Sequence, residues 1–214
     1  MTDICCIGHI TLDKIITPQH ISYMPGGTAY YFSRGMASLH ALTGYKLITA
    51  LGSKEYPVVD ELRKAGIDID VLPSRHTVYF ENRYSENSDN RTQRVLAKAD
   101  PFTIDALHKE NAHFFHLGSL LADDFPPEVI KYLSGKAILS VDVQGYLREV
   151  KGDKVSPIDW PEKREILKYI DILKVNEHEA TVLTGYTNPQ QAAEQLSAWG
   201  VKEVLLTLGS LGSI

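Results

Sequence analysis

Five groups of residues have types and spacing that could do chemistry. Asp13 closes the run "GHITLD". Gly26 and Gly27 stand before "TAYYFSRGMA", where a helical pattern begins. Asp142 and Gln144 follow the apolar run "KAILSV", and Asn176, Glu177 and Glu179 follow "DILKV". Thr207, Gly209 and Gly212 lie in the closing "TLGSLGS". A glycine pair lets a ligand approach the backbone closely, because no Cβ intervenes and positive φ costs little. The N–H groups and dipole of a following helix favour an anion or electron-rich oxygens. Each group also has a plain structural reading. The glycines fit a turn that only starts a helix, Asp13 fits a turn cap, and Asn176 fits a helix N-cap. Their common position after apolar runs is what joins them.

The elements that must position these residues alternate along the chain. "ICCIGHI", "KLITALG", "IDIDVL", "AHFFHLG", "KAILSVDV", "YIDILKVN" and "EVLLTLG" read as strands. Between them "YPVVDELRKAG", "PPEVIKYLSG", "PEKREILKY", "NEHEATVLTG" and "PQQAAEQLSAWG" read as helices, with proline at starts and glycine at ends. From Thr28 a further helix is expected, with Ala29, Phe32, Met36, Leu39 and Leu42 on one apolar stripe. Strand–helix–strand repetition predicts an α/β fold with a mostly parallel sheet covered by helices. In such a sheet ligands sit beyond the carboxyl ends of the strands, where the groups above fall. One stretch departs from the rhythm. "HTVYFENRYSENSDNRTQRVLAKA" alternates polar with aromatic or β-branched residues and reads as a hairpin turning at "SENSDN", with Tyr79 and Phe80 near its centre. With the segment between Thr11 and Pro25 it is expected to form a small accessory sheet outside the main one.

Composition narrows the classes. The chain has 214 residues, 43% of them hydrophobic and 23% charged, as in an ordinary globular protein. A net charge of −5 supplies no basic field, so nucleic acid is not expected as the main partner. No apolar run has the length of a membrane span and no signal peptide opens the chain, so no membrane partner is expected. The only cysteines, Cys5 and Cys6, are adjacent in an apolar strand. Their side chains must point to opposite faces, which favours buried thiols over a disulfide and fits a cytoplasmic location. His113 and His116 are three apart on a strand and cannot share one ion. No GxxxxGK[ST] or GxSxG element occurs.

Taken together, "GHITLD", "PGGTAYYFSRGMA", "KVNEHEATVLTG" and "LLTLGSLGS" resemble the ribokinase-like (PfkB) carbohydrate kinases in order and spacing over essentially the whole chain. The Asn-x-x-Glu element followed by "LTG" is the most specific piece. "HTVYFENRY" and "VDVQGYLR" are most similar to a branch that includes inositol and nucleoside kinases. The resemblance implies ATP-dependent phosphorylation of a hydroxyl on a sugar, polyol or nucleoside, with Mg²⁺. It implies that Asp13, Gly26, Gly27, Tyr31, Phe80, Asp142 and Gln144 contact the substrate, Asp13 by accepting hydrogen bonds from two adjacent hydroxyls. Asn176, Thr207, Gly209 and Gly212 would border the nucleotide, and Glu179 would serve the metal through water. A lid from about residues 12–25 and 76–98 would close over the sugar and pair between subunits into a homodimer.

Two departures bear on these expectations. The family often carries asparagine five positions after the first glycine, where this chain has Tyr31, which alters the hydrogen bonds offered to the sugar. The family's Gly-Ala-Gly-Asp segment, with the catalytic aspartate, is expected to follow residue 214, so the 214-residue chain alone is expected to be a C-terminally incomplete domain without turnover. A catalytically silent sugar- or nucleotide-binding protein of the same fold is the alternative. A nucleotide-binding module without a sugar role is a third reading, against which Asp13 and the glycine pair argue.

Overall fold

The computed structural model describes residues 2–85 and 91–214, with the backbone alone at residue 91. The expected turn "SENSDN" falls largely outside the described residues. In chain order the strands and helices are β1 (Thr2–Gly8), β2 (Thr11–Ile16), β3 (Ile21–Gly26), α1 (Thr28–Ser38), β4 (Tyr45–Leu51), α2 (Tyr56–Lys64), β5 (Asp68–Pro73), β6 (Val78–Tyr84) and β7 (Arg91–Ala97). They continue with α3 (Ile104–Leu107), β8 (Ala112–Gly118), α4 (Pro127–Ser134), β9 (Ile138–Asp142), β10 (Arg148–Lys151), β11 (Lys154–Pro157), α5 (Lys163–Ile166), β12 (Ile172–Asn176), α6 (Glu177–Thr184), α7 (Pro189–Ala198) and β13 (Glu203–Thr207). The fold is α/β, with a mostly parallel sheet flanked by helices. The chain divides into two compact units, one of Met1–Cys5, Pro101–Glu149 and Pro157–Ile214, the other of Cys6–Asp100 and Val150–Ser156.

In the first unit β13, β12, β9 and β8 lie side by side in that order, parallel throughout. Their apolar residues, among them Phe115, Leu117, Leu139, Val141, Leu173, Val175 and Leu206, are buried, as expected of parallel strands covered by crossover helices. Asn176, Asn188 and Thr103 cap α6, α7 and α3 through their side chains. Pro127 and Pro189 occupy the first turns of α4 and α7, where a missing N–H costs nothing. Stacked pairs Phe102–Phe125, with centroids 4.8 Å apart, and Tyr146–Trp160, 4.2 Å apart, fill the space beside the sheet.

In the second unit β4 and β5 pair in parallel. α2 follows its 3₁₀ turn and ends before Gly66, whose φ of 89° is the left-handed conformation a helix stop uses. A second sheet has the order β10-β11-β7-β6-β2-β3. β2 pairs antiparallel with β3 and parallel with β6, and β6 pairs antiparallel with β7. The segment between Thr11 and Pro25, expected to join the hairpin in an accessory sheet, supplies most of two of its strands, β2 and β3. β10 and β11 carry no signal that the sequence reading used. Each is four residues long with no clear alternation, and the turn between them rests on Gly152 at φ 64°.

Helix α1 corrects the apolar stripe. It stops at Ser38, so Leu39 is a C-terminal cap left 77% exposed and Leu42 lies beyond the helix. The buried positions are Ala29 and Ser33. A serine is tolerated there because its hydroxyl donates to the Ala29 carbonyl at 2.8 Å and lies 2.7 Å from the Tyr45 hydroxyl, leaving no polar atom unsatisfied.

Candidate functional site

The candidate residues fall into two groups, one in each unit. In the second unit, pairing of β2 with β3 sets Thr11 opposite Gly26 and Asp13 opposite Met24. Pairing with β6 sets Asp13 beside Phe80 and Ile15 beside Asn82. Thr11 Oγ1 donates to Asp13 Oδ1 at 2.7 Å, which orients the carboxylate. An ideal Cβ on Gly26 would fall 2.5 Å from Asp13 Oδ2 and 2.9 Å from Thr11 Oγ1, so the carboxylate occupies the space a side chain would take. Gly27 follows at φ 93° and ψ 151°, a conformation that favours glycine, and starts α1 without a side-chain cap. Tyr31, on the first turns of α1, is 55% exposed. Partial desolvation and then the charge of Asp13 push its hydroxyl pKa upward.

A cavity of about 600 Å³ opens on this face, lined among others by Asp13, Ile15, Met24, Tyr31, Asn82 and Tyr84. Alternation along β6 explains the choice, since Asn82 and Tyr84 share the face of Phe80. Phe80 itself is 3% exposed and is not among the residues that line the cavity. Gln93 on β7 lies opposite Asn82 and donates from Nε2 to Asn82 Oδ1 at 2.8 Å. On the opposite face Lys14 pairs with Glu81 at 2.9 Å, and Arg94 lies 3.3 Å from the same carboxylate. The Lys14 ammonium, first by hydrogen bond, holds Glu81 below the usual carboxylate range.

In the first unit β12 ends at Asn176, which caps α6. Asn176 Oδ1 accepts from Glu179 N, and Glu179 Oε2 accepts from Asn176 N, each at 2.8 Å. The capping reading of Asn176 is thus met, and Glu179 is its reciprocal partner. Burial pushes the Glu179 carboxyl pKa upward, opposed by its bond from Asn176 and by the charges of Lys174 and Arg148. Asn176 stands directly beside Thr207 on β13. Beyond Thr207 the chain turns through Gly209 at φ 58° and Gly212 at φ 94°, and Leu208 N donates to Gly212 O at 2.8 Å. At the end of β9, Asp142 Oδ1 accepts from Gln144 N at 3.1 Å, and Asp142 Oδ2 lies 3.3 Å from Lys174 Nζ. Gln144 is half-buried in the turn that follows. His116 is buried on β8 with Nδ1 3.1 Å from Ser140 Oγ, whereas His113 is exposed and faces Asp3. Among the described residues no group of three or more His, Cys, Asp or Glu side chains could hold a metal.

The structure therefore brings Asp13, Gly26, Gly27 and Tyr31 together. Separately, it brings Asp142, Asn176, Glu179, Thr207 and the closing glycines to the carboxyl ends of one set of strands. Sequence reasoning missed Asn82, Tyr84 and Lys174. The alternation of "YFENRY" held the signal for the first two, and the placement of Lys174 two residues before Asn176 held it for the third.

A mostly parallel sheet flanked by helices, with polar groups at the strand ends and a second sheet bearing Asp13, is the ribokinase-like architecture. The chain belongs to the PfkB family of carbohydrate kinases, whose model matches residues 1–214, and is accordingly a phosphotransferase. It is 30% identical to a cytidine kinase of Thermococcus kodakarensis, over 99% of this chain and 75% of that protein. Among solved structures it is similar to a pyrophosphate-dependent kinase of the ribokinase family complexed with a pyrophosphate analog and myo-inositol. That match has 29% identity and a TM-score of 0.86, and covers 96% of this chain and 72% of the other. Ribokinase of Arabidopsis thaliana, complexed with ribose and ATP, shares the fold at 21% identity and a TM-score of 0.69, covering 100% of this chain and 74% of the other.

Proposed function

We propose that the protein transfers a phosphoryl group from ATP to a hydroxyl of a small sugar, polyol or nucleoside, and that Asp13 holds the substrate by its hydroxyls. The observation that carries this reading is the Asp13 carboxylate, oriented by Thr11 and seated over the bare backbone of Gly26 at the mouth of α1. A carboxylate in that position accepts hydrogen bonds from two adjacent hydroxyls, and the glycine pair lets the ring approach the backbone. Such positioning is a large part of what phosphoryl transfer requires.

The donor is assigned to the other unit, where Asn176, Thr207, Gly209 and Gly212 border the nucleotide. The donor set fits Mg²⁺ held mainly by phosphates and water. Glu179 offers one carboxylate at a helix N-terminus, and Mg²⁺ keeps several waters and takes one or two carboxylates beside phosphates. Bound there, the ion would neutralise charge on the transferring phosphoryl group. Lys174 adds a positive charge beside Asp142.

The second sheet acts as a lid that excludes water from the substrate, with β2 and β3 from about residues 12–25 and β6 and β7 from about residues 76–98. The exposed Ile21, Tyr23 and Leu96 on that sheet support its use as a homodimer face. The buried thiols of Cys5 and Cys6, which form no disulfide, suit a reducing, cytoplasmic compartment. Among the described residues no helix is long and apolar enough to cross a membrane.

The test is phosphate transfer from labelled ATP, and separately from pyrophosphate, to a panel of sugars, polyols and nucleosides by the product of the gene's whole reading frame. Transfer from ATP that Asp13→Ala lowers by about 30- to 1000-fold is expected, equal to about 2–4 kcal/mol. Equal turnover in the two proteins contradicts the role of Asp13. Transfer from pyrophosphate alone contradicts the donor.

A further inference from the structure

We infer that the Ser33–Tyr45 hydrogen bond positions the first turns of α1, and with them Gly27 and Tyr31, against Asp13. Ser33 and Tyr45 are then positioning residues for the phosphoryl acceptor, and the inference rests on the reading of Asp13 as the residue that holds its hydroxyls. α1 begins after Gly27 with no side-chain hydrogen bond at its cap, so the usual local pin of a helix start is missing. Its buried residues are Ala29 and Ser33, four apart on one face. Two small side chains offer little relief to interlock with a neighbour, so packing alone leaves the helix room to slide or turn. Phe32 meets the Tyr45 ring with centroids 6.1 Å apart, a contact that a small slide would keep.

A hydrogen bond is directional where this packing is not. Ser33 Oγ has one hydrogen and gives it to the Ala29 carbonyl at 2.8 Å, so the Tyr45 hydroxyl, 2.7 Å away, is the donor to Ser33. The buried Cys6 thiol on β1 is hydrogen-bonded to the same tyrosine. The bonds thus run from β1 through β4 to a carbonyl in the first turn of α1. Ser33 and Tyr45 are buried, where such bonds are strong and fix one arrangement. Ser33 lies six residues after Gly27. At about 1.5 Å per residue that is about 9 Å of helix, short enough to carry a shift at the bond rigidly to the glycine and to Tyr31. A displacement of about 1 Å at a reacting site can cost about 10²-fold in rate.

Replacing both hydroxyls of a buried pair by apolar groups of similar shape is nearly neutral for folding. The double variant Ser33→Ala/Tyr45→Phe therefore separates positioning from stability. The product of the gene's whole reading frame is assayed for phosphoryl transfer at varied acceptor and at varied donor, as wild type, Tyr45→Phe, the double variant and Asp13→Ala, with a thermal melt of each. The double variant should melt close to the wild type, yet lose at least about tenfold in kcat/KM for the acceptor while the donor KM stays within about twofold. Tyr45→Phe should show the same split. It leaves Ser33 bonded to Ala29, and so keeps the test decisive should the double variant fail to fold. Acceptor kcat/KM at the wild-type value in the folded variants overturns the positioning role, as do acceptor and donor parameters that fall together with the melting temperature. In either case a loss in Asp13→Ala leaves the hydroxyl reading standing. Unchanged turnover by Asp13→Ala, or no turnover of any acceptor by the wild type, overturns both.

Discussion

The Asp13 carboxylate and the Gly26 backbone are mutually exclusive with any side chain at position 26, because an ideal Cβ there would lie 2.5 Å from Oδ2 and 2.9 Å from Cγ of Asp13. Gly26→Ala must therefore displace the carboxylate or part β2 from β3. Overpacking of this kind costs about 1–3 kcal/mol, and ligand affinity should fall with it. Gly35, mid-helix in α1 with nothing within 4 Å of its ideal Cβ, is the matched control. Gly35→Ala should raise stability by about 0.5–1 kcal/mol in urea unfolding. A Gly26→Ala protein that melts and binds like the wild type would show that the close approach has no consequence.

Glu179 and Asn176 should separate into two roles. Asn176→Ala removes a cap and should cost about 1 kcal/mol. Glu179→Gln keeps an acceptor for Asn176 N, so the capping box largely survives. Burial holds the Glu179 carboxyl above its ordinary 4.5, so the folded protein keeps this proton to higher pH than the unfolded chain does. Its contribution to stability is full below 4.5 and falls as pH rises through the folded value. Glu179→Gln should therefore gain on the wild type in melting temperature as pH rises above 4.5, while binding Mg²⁺-ATP more weakly. A constant difference in melting temperature across pH contradicts the first expectation, and unchanged Mg²⁺-ATP affinity contradicts the second.

His116 should make the fold acid-sensitive. Burial pushes its pKa down to about 4, with Lys174 adding to the shift and Asp142 opposing it. The unfolded chain takes this proton near 6.5, before the folded protein does. The stability present above 6.5 is lost as pH falls toward 4, up to roughly 3 kcal/mol. In denaturant titrations between those values, His116→Gln should show a shallower fall than the wild type. Parallel curves would mean that the imidazole is protonated equally in both states.

Much of the fold could be read locally because parallel strands announce themselves as short apolar runs and helices by proline, glycine and capping residues. Asp13, the glycine pair and the Asn176–Glu179 box were legible for the same reason, each being punctuation at the end of an element. Asn82 was not, because its meaning depends on β6 pairing with β2, which sets it beside Ile15 some 67 positions earlier. Local pattern does not carry that distance. Leu39 misled because periodicity continued past Ser38 while the chain turned, with His40 at φ 54° just beyond.

The central claim is that Asp13 grips substrate hydroxyls, and a coupling measurement tests it most directly. Wild type and Asp13→Ala are titrated with the preferred ligand and with its deoxy analogues, each lacking one sugar or ring hydroxyl. If Asp13 accepts from a hydroxyl, removing that hydroxyl costs affinity in the wild type and little in Asp13→Ala, a coupling of about 1.5–3 kcal/mol. Losses that simply add for every hydroxyl would contradict the account.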